Sequence, residues 1–63
     1  MTYMELWLIL TQAEERVREY SGTEFADVAK RSQETVDLCK EKMAREGLTR
    51  GELQKAARRE ARE

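Results

Sequence analysis

The sequence predicts an all-α fold, an antiparallel helical hairpin followed by a short third helix, assembling as a dimeric helical bundle. Three observations carry this. Proline is absent and glycine stands only at 22, 47 and 51, while Ala, Glu, Lys, Arg and Leu dominate the rest. The apolar residues of the first twenty positions recur at spacings of three and four. One start signal, an apolar residue, Ser or Thr, two free positions, Glu and a second apolar residue, is written three times.

The first copy, Met1-Thr2-Tyr3-Met4-Glu5-Leu6, opens helix 1 at about residues 3–20. Such a segment joins a capping box to a hydrophobic staple. The hydroxyl accepts from the N3 amide, the Glu carboxylate reaches back to the cap amide, and the apolar pair closes over the turn. Each cap is expected to contribute about 1 kcal/mol. Along helix 1, Tyr3, Leu6, Leu10, Ala13, Val17 and Tyr20 form an a/d seam on which one helix can lie.

The second copy, Tyr20-Ser21-Gly22-Thr23-Glu24-Phe25, opens helix 2 at about 24–46. Two starts are compatible with it. Either Ser21 caps the new helix, or Gly22 is the left-handed residue that stops helix 1 and Thr23 is the next cap. Helix 2 offers the matching stripe Phe25, Val28, Ala29, Ser32, Val36, Cys39 and Met43. A turn this short favours an antiparallel hairpin, and helices of about 27 and 34 Å pair along most of their length. Gly47 reads as the stop of helix 2, with Leu48 turned back to Met43.

The third copy, Leu48-Thr49-Arg50-Gly51-Glu52-Leu53, opens helix 3 at about 50–61. Residues 47–53 resemble the opening of the first helix in many helix-turn-helix units. The resemblance covers those seven residues, and no function is carried over from it.

A single domain of 63 residues buries only about 60% of the surface its unfolded chain exposes, so it needs reinforcement. With one cysteine, Cys39, and no histidine, the chain can close no internal disulfide and supply no Cys/His zinc site. Oligomerisation or docking on another protein is the expected remedy. The surface that asks for it is Met4, Trp7, Leu8 and Ile9. These make the first half of helix 1 apolar nearly all round, whereas the hairpin seam uses only Leu6 and Leu10. Helix 3 is one cover for them, but Leu53, Ala56, Ala57 and Ala61 present little apolar area. A second copy in a two-fold four-helix bundle is the preferred one.

Chemistry is not expected. The usual general base is missing, and no phosphate loop, calcium loop, catalytic constellation, metal site or cofactor signature is present. Cys39 on the apolar stripe reads as a small buried hydrophobe rather than a reactive thiol. Glu14 and Glu15 read as solvated charges, Glu14 paired with Arg18 one turn on.

Twelve basic residues against thirteen acidic give a net charge of -1, hence no global field for nucleic acid or anionic lipid. The local exception is helix 3, where Lys55, Arg58, Arg59 and Arg62 share one face at i, i+3, i+4, i+7. That face suits phosphates or an acidic protein surface, although a solvated face that complements the helix dipole has the same pattern. An interfacial role for helix 1 is disfavoured by its acidic polar side. The opening residues do not read as a secretory signal and the run Leu6 to Leu10 is too short to span a bilayer, so a cytoplasmic location is expected. The leading functional expectation is a non-enzymatic protein-interaction module, an adaptor, inhibitor or regulatory subunit acting through helix 1 on a second copy or a larger protein. The alternative is a nucleic-acid-binding regulator using the basic face of helix 3.

Overall fold

A computed structural model describes residues 1–62. Among them the chain forms α1 (Tyr3–Tyr20), α2 (Ala26–Arg45) and α3 (Arg50–Arg62), with no strand. Helix α1 is the central element, packing along α2 on one side and against α3 on another. The core comprises Leu6, Leu10 and Ala13 of α1, Val36, Cys39 and Met43 of α2 and Leu53 of α3, with Trp7 and Leu48 packed at its edge. Ala29, Ser32 and Ala57 are buried as well.

Two of the three capping boxes form as the sequence writes them. The Thr2 hydroxyl accepts from the Glu5 amide at 3.1 Å, and the Thr2 amide donates to the Glu5 carboxylate at 3.4 Å. The Thr49 and Glu52 pair repeats the exchange, at 3.2 Å in both directions. Of the apolar pairs, Leu48 and Leu53 both reach the core, whereas Met1 is 72% exposed.

At the second signal neither Ser21 nor Thr23 is the N-cap of α2, whereas the left-handed stop at Gly22 does form. Ser21 is the C-cap of α1, its amide bonded to the Val17 carbonyl, and Gly22 follows in the left-handed region at φ 75°. Thr23 then donates to the Tyr20 carbonyl at 2.6 Å and accepts from the Phe25 amide at 3.1 Å. Helix α2 therefore begins at Ala26 rather than 24, on an N-cap, Phe25, that has no side-chain acceptor to offer. The local reason is competition. A glycine one residue after Ser21 lets α1 terminate there, so Ser21 closes the first helix through its backbone and caps no amide of α2. Phe25 sits edge-on to Tyr20, ring centroids 6.0 Å apart, and both Phe25 and Val28 are exposed instead of lying on the buried stripe.

The stop of α2 is a Schellman turn. Gly47 takes φ 69°, the Leu48 amide bonds to Met43 at 2.8 Å and the Gly47 amide to Ala44 at 3.1 Å. This reverses the chain tightly enough to seat Leu48 on the core and start α3 three residues later. Along α1 the predicted seam buries Leu6, Leu10 and Ala13, leaves Val17 and Tyr20 half-buried, and exposes Tyr3.

Candidate functional site

The predicted girdle of Met4, Trp7, Leu8 and Ile9 wraps α1, because successive residues step about 100° around a helix. Helix α3 divides it. Leu53 and Ala57 are almost fully enclosed and bring α3 down on the Met4 and Trp7 side, where both of these residues are half-buried. Of the alanines that make α3 poor in apolar area, Ala57 is buried, Ala56 is half-buried and Ala61 is exposed.

Both ends of α3 are fastened to α1. At the start, the Arg50 guanidinium lies 4.8 Å from the centroid of the Trp7 ring and grips the Glu14 carboxylate through Nη2 at 2.9 Å and Nε at 3.2 Å. The hydrogen bond to Glu14 raises the Arg50 pKa further above its ordinary value. Glu14 is thus paired across helices with Arg50 and not with Arg18 along its own helix; a planar fork held by Trp7 meets a carboxylate in two places at once. At the far end, the Glu60 carboxylate accepts from the Met4 amide at 2.8 Å and the Tyr3 amide at 3.1 Å. It satisfies two of the amides that every helix start leaves without an intrahelical partner.

Leu8 and Ile9 remain outside this cover, with 48% and 38% of their surface exposed. Ile9 faces an open groove of about 300 Å³ between α1 and α2, whose other walls include Gln12, Arg16, Val28, Arg31 and Thr35. Gln12, Arg16, Arg31 and Thr35 are members that sequence reasoning missed, and Val28 was expected on the buried stripe. A usable signal was there: Glu5, Ile9, Gln12 and Arg16 follow spacings of 4, 3 and 4, a second seam beside the buried one.

The four cations Lys55, Arg58, Arg59 and Arg62 are all exposed and together line one shallow depression on the side of α3 opposite Leu53 and Ala57. The structure therefore holds two separate surfaces, an apolar one on α1 and a cationic one on α3. Cys39 belongs to neither. It is buried in the core, where burial and then the charge of Glu14 push its thiol pKa up, away from the thiolate that nucleophilic chemistry requires. Among the described residues, no three Cys, Asp or Glu side chains gather as a metal site, and no helix is long and apolar enough to cross a membrane.

No family model matches this chain. Comparisons with curated proteins and with solved structures likewise find no similar protein. What the surfaces can do follows from their own chemistry.

Proposed function

We propose that this protein is a small non-enzymatic interaction module, an adaptor, inhibitor or regulatory subunit, that docks through the outer side of α1 with Leu8 and Ile9 at the centre. The observation that carries this is their exposure side by side on α1, Ile9 beside an open groove to α2. Two large aliphatic side chains left in water on so small a domain, with exposed Val28 across the groove from Ile9, are better explained by an absent partner than by chance.

A second copy is the partner that fits best. The seam Glu5, Ile9, Gln12 and Arg16 complements itself when two α1 helices run antiparallel about a two-fold axis. Glu5 of each copy then meets Arg16 of the other, while Ile9 of each packs on Gln12 and the neighbouring Leu8. The decisive experiment is a charge swap read by light scattering at micromolar concentration. Glu5→Arg and Arg16→Glu singly are expected to give monomers, and the double swap to restore the dimer. A parent that stays monomeric throughout removes the two-fold assembly and leaves a different protein as the occupant of Leu8 and Ile9.

A further inference from the structure

The outward face of α3 carries a charge arrangement that the net charge of -1 conceals. Among its described residues α3 has two acids, and both are turned to backbone amides, Glu52 at its own first turn and Glu60 at the start of α1. Arg50 is engaged by Glu14 and Trp7. What remains on the outside is Lys55, Arg58, Arg59 and Arg62, concentrated on one face with no ion pair to any described residue.

The fold then adds what the sequence of α3 lacks, an aromatic ring. Tyr3 of α1 is 40% exposed and stands against this face, sharing one depression with Leu48, Glu52, Lys55, Ala56 and Arg59 and another with Ala56, Arg59 and Glu60. Lys55 to Arg62 spans about 10 Å of helix, so the four cations form one compact patch along which a flexible strand can lie. We propose that this face binds single-stranded nucleic acid, the four cations contacting backbone phosphates and the Tyr3 ring stacking on a base. A row of cations beside a stacking ring is the combination that sequence-tolerant single-strand binding uses. An acidic protein would use the cations alone and would leave the ring idle. The site is distinct from Leu8 and Ile9, so it stands or falls independently of the docking proposed above.

The test is fluorescence anisotropy of a labelled oligothymidylate with the full chain across a salt series. Four phosphate contacts on a single strand predict a log–log salt slope of about -3, so a tenfold rise in salt weakens binding roughly 600-fold. Arg58→Glu combined with Arg62→Glu should abolish binding while far-ultraviolet circular dichroism stays that of the parent, since both positions are exposed. Tyr3→Ala should weaken it at least about fivefold and Tyr3→Phe should not, because stacking needs the ring and not the hydroxyl. No binding at low salt overturns the proposal. So does binding that ignores Tyr3→Ala and is displaced equally well by polyglutamate, an outcome that assigns the face to an acidic protein surface.

Discussion

Glu60 reaches the start of α1 from the far end of the chain, its carboxylate 2.8 Å from the Met4 amide and 3.1 Å from the Tyr3 amide. Thr2 already serves the Glu5 amide, so local and long-range acceptors together answer three consecutive amides of one helix start. A negative charge there also meets the positive end of the α1 dipole. Glu60→Ala should destabilise the fold by about 1 kcal/mol, the loss typical of a missing cap. Urea denaturation measures it, and Glu60→Gln should lose less because an amide oxygen still accepts. A parent-like Glu60→Ala would mean that α3 is not held at this end.

The three residues first read as helix caps, Thr2, Ser21 and Thr49, should separate cleanly. Thr2→Ala and Thr49→Ala remove the acceptor of a complete capping box and should each cost about 1 kcal/mol. Ser21→Ala should cost almost nothing, because Ser21 closes α1 through its backbone and caps no amide of α2. Equal losses at Ser21 and Thr49 in chemical denaturation would restore the helix start at residue 21.

Arg50 should report on Trp7. Removing the guanidinium from the ring face opens the indole to water, so Arg50→Ala should shift tryptophan emission to the red and weaken the fold by about 0.5 to 1 kcal/mol. Arg50→Lys should recover little of this, as an ammonium cannot grip Glu14 in two places. Unchanged emission in Arg50→Ala would show that α3 does not shield Trp7 in solution.

Cys39 should make the fold sensitive to alkali. Its folded thiol pKa is raised above the ordinary value of 9.0, so the folded state holds the proton over a range in which the unfolded chain has released it. Stability contributed by the neutral thiol is full below that ordinary value and falls as pH rises above it. Thermal melts should decline more steeply from neutral to alkaline pH in the parent than in Cys39→Ala, the difference removing the effects of Tyr and Lys titration. The same thiol should react slowly with a disulfide reagent under native conditions and rapidly in denaturant. Fast native labelling would place it at the surface.

The sequence by itself determined the helices, because their causes are local. The residues that stop α1 and α2, Gly22 and Gly47, and the boxes at Thr2 and Thr49 act within a turn of where they stand, and the a/d spacing of Leu6, Leu10 and Ala13 selects a buried face before any partner is present. The two candidate surfaces were legible in part: the exposure of Lys55, Arg58, Arg59 and Arg62 follows from their spacing opposite Leu53, while the girdle of Met4, Trp7, Leu8 and Ile9 was legible only as a need for cover. Tertiary structure alone decided how that need is met. It placed α3 over Met4 and Trp7 and left Leu8 and Ile9 in water. It moved Glu14 from Arg18 to Arg50, sent Glu60 to the Tyr3 and Met4 amides, and set the Tyr3 ring beside Arg59. Each of these joins residues some fifty positions apart or chooses between two partners of the same chemistry. Helical periodicity orients a side chain around its own axis; where α3 comes to rest along α1 depends on how closely Leu53 and Ala57 let two backbones approach, and that is a property of the packed pair.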